Sequence, residues 1–287
     1  MNKVVSSLLA LVTLLSSVGA HSVPCDTPKH LRFSYIPEGD VRSDVKKFKP
    51  LMARIEKLTG KTVELITPTS YSSVIEGLIS KNVDFALLGP AAYAAAKKAD
   101  PDVTIFATYS MKPGKYDVEG PFYHSLLITK RSGRFADISS LRGATLALTD
   151  PVSTSGSVIP RHFFPKETGQ LLDTYFSKIV YTGDHNHVAL AVVNGQADAA
   201  FVSSYHLSSI IRDGKVPDDF KVLWHSEPIP FSGFVYRGYL CAPIKEKIID
   251  GFLKATPEQS KLLLDGFNAT KLVPASDADY RMIHELY

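Results

Sequence analysis

Two stretches of this chain, 114 residues apart, follow one plan, and that plan restricts the fold more than any single motif. Tyr71 stands where His185 does, Val74 where Val188 does, Leu78 and Ile79 where Val192 and Val193 do, and Val83, Asp84 and Ala86 where Ala197, Asp198 and Ala200 do. Each stretch reads as a polar residue, an apolar helix, a short turn holding Asn or Gln, an aspartate and then a buried strand. Coincidence is the competing reading, because helix–strand units resemble one another. A true repeat means two similar α/β lobes, with Tyr71 and His185 at equivalent helix starts. In open α/β sheets such starts lie at the carboxyl ends of strands, where ligands bind.

The rest of the chain fits this frame. Strands are expected over 31–36, 63–67, 83–88 and 103–109, and helices from about Val45 or Lys49 to Leu58, over 72–80 and from Pro90, which suits a first helical position. Residues 111–121 are polar, carry Pro113, Gly114, Gly120 and Pro121, and read as a loop leading to a crossover. Strands follow over 122–129, 144–148, 175–181, 197–202 and 222–225, with a short helical turn over 138–141 and helices over 188–193 and 204–211. Pro228-Ile229-Pro230 reads as the return crossover, and the pattern from Ile244 to the end is helical. Strands alternating with helices imply largely parallel sheets covered on both faces. The expected division is residues 21–120 with 229–287 in one lobe and 121–228 in the other.

Lys3, the apolar run from Val4 to Leu15 and the small residues up to Ala20 form a secretory signal peptide, with cleavage expected near Ala20. A membrane anchor is the alternative, but the run is shorter than the roughly 20 apolar residues of a spanning helix. The mature chain is expected to be soluble and exported. The formal charge is +3, and +2 once Lys3 is removed, with no Lys/Arg cluster to neutralise phosphates, which argues against nucleic acid. Cys25 and Cys241 form one disulfide in an oxidising compartment or remain two free thiols. They do not make a zinc pattern, and no metal or cofactor is expected.

The chemistry gathers at Thr149-Asp150-Pro151-Val152-Ser153-Thr154-Ser155-Gly156-Ser157, between the apolar run 144–148 and a helical segment. A helix start has N–H groups without intrahelical partners and the positive end of the dipole, so it holds anions. Ser153, Thr154 and Ser155 add hydroxyl donors, and Gly156 lets a ligand approach the backbone. The plainer reading is that one hydroxyl merely caps the helix. A hydrolase using Ser155 and His185 is the enzymic alternative, but the Gly-x-Ser-x-Gly elbow is missing. His185 and His187, two apart, do not share a helix face for a metal.

Taken together, these residues give the chain a resemblance to the periplasmic phosphate/phosphite/phosphonate-binding components of ABC transporters. The pieces that carry it are Phe48-Lys49-Pro50-Leu51, the Tyr71-Ser72-Ser73-Val74 helix start, Leu88-Gly89-Pro90-Ala91-Ala92-Tyr93, the Ser153-Thr154-Ser155-Gly156 turn and Gly183-Asp184-His185, in order from about Phe33 to Leu253. The resemblance implies a two-lobe periplasmic binding protein of type II, a "Venus flytrap" of mostly parallel sheets flanked by helices. It also implies a non-enzymic monomer that hands a small oxyanion to a permease in the inner membrane. Carried over by position, Ser153, Thr154, Ser155 and His185 donate from one lobe and Tyr71 from the other, while Tyr123 closes over the ligand. Members that take aminoalkyl phosphonates need a carboxylate where this chain has Ser203 and Ser204, so an ammonium-bearing ligand is disfavoured. A sensing module that signals through a receptor has the same cleft and is the alternative to transport.

Overall fold

The computed structural model describes residues 25–36 and 41–287, so the signal-peptide reading falls outside the described residues. Within them the strands are β1 (Leu31–Tyr35), β2 (Val63–Leu65), β3 (Phe85–Leu88), β4 (Thr104–Met111), β5 (Phe122–Tyr123), β6 (Ser125–Lys130), β7 (Thr145–Leu148), β8 (Lys178–Tyr181), β9 (Ala199–Ser203), β10 (Phe220–His225), β11 (Ile229–Pro230), β12 (Gly233–Tyr236) and β13 (Ala269–Pro274). The helices are α1 (Val41–Thr59), α2 (Tyr71–Ile79), α3 (Pro90–Ala99), α4 (Ile159–Thr168), α5 (Leu172–Tyr175), α6 (His185–Val193), α7 (Ser204–Arg212), α8 (Ala242–Leu253), α9 (Pro257–Gly266) and α10 (Arg281–His284).

Two sheets make two lobes. The first has the order β13-β4-β12-β3-β1-β2 and the second β10-β6-β9-β7-β8. Both are mixed, which corrects the expectation of mostly parallel sheets. The pairs β1–β2, β1–β3, β7–β8 and β7–β9 are parallel, whereas β12 runs antiparallel to β3 and β4, and β6 antiparallel to β9 and β10. The reason is the crossover: β6 and β12 each enter their sheet having come from the other lobe, and so run against the strands beside them. The crossover strands themselves pair, Tyr123 opposite Ile229 and Phe122 opposite Pro230. Two stretches expected differently also changed. Residues 269–274, read as helix, form the edge strand β13 against β4, and Leu172–Tyr175, partly read as strand, is a helical turn.

The 114-residue correspondence extends to individual hydrogen bonds. α2 and α6 both have nine residues and start 114 apart, capped by Ser70 and Asp184 side chains that accept from the N–H groups of Ser73 and His187. At the other end, Asn82 and Val83 donate to Gly77 O just as Gln196 and Ala197 donate to Ala191 O. The turn residues Lys81 and Gly195 share a left-handed φ, 62° and 70°. Asp84 accepts from Arg32 N at 2.8 Å, and Asp198 from Thr145 N at 2.9 Å. Apolar residues at helical spacing and one aspartate that ties a strand to its neighbour thus generate the same unit twice.

Each lobe buries aromatics on its sheet: Phe33, Phe48, Phe85, Phe234 and Phe252 in the first, Phe164, Tyr175, Phe176 and Phe201 in the second. Cys25 and Cys241 are joined in a disulfide, which closes the alternative of free thiols. The bridge fastens the segment before β1 to the start of α8, beside the Asp26–Leu240 bridge. Closing so long a loop restricts the unfolded chain, so reduction is expected to lower stability by about 2–4 kcal/mol. Urea unfolding with and without reductant measures it; coincident curves would refute the estimate.

Candidate ligand-binding site

The carboxyl ends of the parallel strands in both sheets face one another across a small cavity. Ile36 follows β1, Leu87 lies near the end of β3 and Gly89 just after it, Ser203 ends β9, and each stands on its wall. The cavity encloses about 40 Å³, against the roughly 10–15 Å³ that one water requires by the same measure. All six residues expected from sequence line it: Tyr71, Tyr123, Ser153, Thr154, Ser155 and His185. Tyr71 and His185 are the first residues of α2 and α6, as the repeat requires. Tyr123 comes from crossover strand β5 and packs edge-on against Phe231 at 5.3 Å.

Ser203, which the resemblance already set beside the ligand, lines the cavity too, whereas sequence reasoning missed His206, Gly89 and Ser232. The repeat held the signal for one of them. Gly89 and Ser203 are 114 apart, and they cap α3 and α7 respectively. The starts of α2, α3, α6 and α7 and of the turn at Thr154 therefore all converge here. Each start brings the positive end of its dipole, a contribution of about 0.3–1 kcal/mol apiece toward an anion, more where buried, while the cap bonds already occupy the N–H groups of Ser73, Ala91, His187 and His206. Among the described residues lining the cavity there is no Lys, Arg, Asp or Glu.

The turn itself is one helical loop, Thr154–Val158, wound one residue wider than an α-helix, before α4. Ser153 Oγ accepts from Gly156 N at 3.2 Å, so the capping reading is correct for this residue, and its O–H is left to donate elsewhere. Thr154 Oγ1 accepts from Ala91 N at 2.9 Å, linking the turn directly to the start of α3 in the other lobe. Ser155 O accepts from Ser125 Oγ at 2.6 Å. Gly156 corrects an expectation. A Cβ there would lie 2.1 Å from Thr149 Oγ1, so glycine is required for packing against Thr149 and not for approach of a ligand.

His185 is buried, and its ring lies 4.5 Å from the near-parallel ring of His206. Ser203 N, which can only donate, lies 3.3 Å from His185 Nδ1, with Thr149 Oγ1 at 3.2 Å from the same nitrogen. Nδ1 is therefore the unprotonated acceptor and Nε2 carries the hydrogen, 3.5 Å from Ser153 Oγ. Burial, and next the neighbouring His206, hold this imidazole well below its ordinary pKa, so it presents a neutral N–H donor. The unfolded chain protonates it near its ordinary value and the folded chain does not, so this group withdraws stability as pH falls below about 6.5. A hydrolytic triad needs the opposite arrangement, an Nδ1–H donated to a carboxylate. Burial pushes the Tyr123 phenol up to about 12, while hydrogen bonds with the Ser155 and Thr154 side chains pull the other way. It is a neutral hydroxyl in contact with the turn.

Among the described residues no cluster of His, Cys, Asp and Glu is arranged to hold a metal, and no helix is long and apolar enough to cross a membrane.

Two mixed α/β sheets joined by paired crossover strands, with helix starts meeting between them, define a two-lobe periplasmic binding protein of type II. The chain belongs to the periplasmic substrate-binding proteins of phosphonate ABC transporters, since the model of that family, "ABC transporter, phosphonate, periplasmic substrate-binding protein", matches residues 33–280. It is 30% identical to the phosphonates-binding periplasmic protein of Escherichia coli strain K12, over 90% of this chain and 75% of that one. It is 27% identical to the phosphate-import protein PhnD of Mycolicibacterium smegmatis, over 97% and 93%. Among solved structures, a binding protein component of an ABC phosphonate transporter from Pseudomonas aeruginosa superposes with a TM-score of 0.80 at 25% identity, covering 91% of this chain and 86% of that one.

Proposed function

We propose that this protein captures a small tetrahedral phosphorus oxyanion in the cavity between its lobes and delivers it to an ABC permease in the inner membrane. The observation that carries this reading is the convergence of helix starts and hydroxyls on a cavity whose described lining has no Lys, Arg, Asp or Glu. Such a lining compensates an anion with backbone N–H groups, O–H groups and dipoles, as small oxyanions require. The relatives' names support phosphorus as the centre, one being a phosphate importer and another binding phosphonates. Tyr71, Tyr123, Ser153, Thr154, Ser155 and His185 are assigned as the ligand contacts. Ser203 stands where an ammonium-bearing ligand calls for a carboxylate, so phosphite or a small phosphonate such as the methyl compound is favoured over aminoalkyl phosphonates.

The protein acts as a binding protein and not an enzyme: the named relatives are binding and import proteins, and His185 has its donor and acceptor reversed relative to a hydrolytic triad. It works as a monomer, in the periplasm after loss of a leader ending near Ala20, without nucleic acid. The lobes are assigned as residues 21–120 with 229–287, and 121–228. The paired strands β5 and β11 are then the hinge. A ligand touching both lobes stabilises the closed form by differential binding. Small-angle scattering is therefore expected to show a smaller radius of gyration with saturating methylphosphonate than without. An equal radius in both would contradict hinge closure.

A further inference from the structure

We propose that Thr149, which does not line the cavity, is the positioning residue that aims His185 Nε2–H at the ligand. This rests on the reading of the cavity as an oxyanion site.

Thr149 directly follows β7, is fully buried, and touches three parts of the site at once. Its N–H donates to Gly156 O at 3.3 Å and its carbonyl accepts from Gly183 N at 2.7 Å, so its backbone joins the 153–158 turn to the loop before α6. Its hydroxyl lies 3.2 Å from His185 Nδ1. The other partner of that nitrogen is the Ser203 N–H, at 3.3 Å, from the neighbouring strand β9. Because an N–H cannot accept, Nδ1 must, and the Thr149 hydroxyl facing the same lone pair donates as well. Both bonds are long for their type and share one acceptor. Two donors from adjacent strands therefore grip the back of the ring, and the front nitrogen is left facing Ser153 and the cavity. Without the Thr149 hydroxyl only the long Ser203 N–H bond would hold Nδ1, with the His206 ring stacked beside the imidazole and Ser153 at its front nitrogen.

Gly156 fits the same idea. Its missing side chain is what lets the turn close on Thr149, so the hydroxyl sits where the turn and the histidine can both be registered against it.

The test uses Thr149→Val, which keeps the shape and removes the hydroxyl, and Thr149→Ser, which keeps the hydroxyl. Two readouts are needed. The first is the tautomer of His185 in protein labelled at the imidazole nitrogens, its signals identified by their loss in His185→Gln. The second is affinity for methylphosphonate and inorganic phosphate by calorimetry. Wild type should show a single neutral Nε2–H form. T149V should show a mixed or broadened ring signal and roughly three- to tenfold weaker binding, the loss of one hydrogen bond, and T149S should restore both. Should T149V fail to fold, Thr149→Ala, which also deletes the hydroxyl without adding bulk, takes its place. An unchanged tautomer in the hydroxyl-free variant overturns the proposal, even where affinity falls. So does full affinity with a disturbed tautomer. If wild type binds neither anion, the oxyanion reading fails by itself, while the nitrogen spectra still decide whether Thr149 holds His185.

Discussion

Replacing Arg237 with methionine should lower the unfolding free energy by about 3–5 kcal/mol, the range for breaking a buried ion pair from one side. Arg237 is 1% exposed, and its Nε donates to Asp84 Oδ1 at 2.8 Å while Nη2 reaches Asp26. Asp84 is itself fully buried at the start of β3, and its second oxygen takes the Arg32 N–H. Removing the guanidinium leaves that carboxylate partly compensated by Arg32, whose side chain is 22% exposed. It also loosens Asp26, next to the disulfide. The repeat supplies a control. Asp198 makes the same bond to a strand N–H, but its cationic partner among the described residues is the exposed Arg134 at 3.8 Å, so Arg134→Met should change stability by under about 1 kcal/mol. Urea denaturation with unchanged slope reads both. Equal effects for the two arginines would refute the argument.

Thr154→Ala should weaken binding of methylphosphonate or phosphite by roughly 10- to 150-fold, or about 1.5–3 kcal/mol, the range for a hydrogen bond to a charged group. The side chain acts in two ways. It is one of the hydroxyls on the cavity wall, and it also accepts the Ala91 N–H of the opposite lobe at 2.9 Å in a buried setting. Its loss removes a donor to the anion and leaves the start of α3 with an unpaired N–H whenever the lobes close. Ser155→Ala lacks the second effect, because the bond holding Ser155 to Ser125 uses its backbone carbonyl, and should cost less. Thr154→Ser, with the hydroxyl kept, should recover most of the affinity. Calorimetry on the three variants decides the order; wild-type affinity in Thr154→Ala would contradict it.

The fold was legible where a local pattern had only one use. The 114-residue correspondence marked α2 with β3 and α6 with β9 because helical spacing followed by an aspartate and an apolar run admits little else. It failed at β12, a central strand of only four residues, Gly233–Tyr236. So short a run after a proline-rich crossover carries little signal, and β12 is held by β3 and β4, which are far away in sequence. β13 was misread because an edge strand with only Ala269 fully buried shows no alternation to read. α1 begins well before the expected start and carries Pro50 in its interior, where tertiary packing overrides propensity. In the site, the hydroxyl turn and both helix starts were readable as anion-binding chemistry. Gly89 was readable too, through its match to Ser203. Thr149 was not, since its effect passes through the back of His185 and depends on the contact of β7 with β9.

Calorimetric titration of the mature protein with phosphate, phosphite, methylphosphonate, 2-aminoethylphosphonate and sulfate at one ionic strength asks directly what the cavity holds. Phosphite or methylphosphonate should bind one to one and most tightly, with the aminoethyl compound weaker because Ser203 offers its ammonium no charge. Tightest binding of 2-aminoethylphosphonate, or no binding of any phosphorus oxyanion, would contradict the assignment of this cavity.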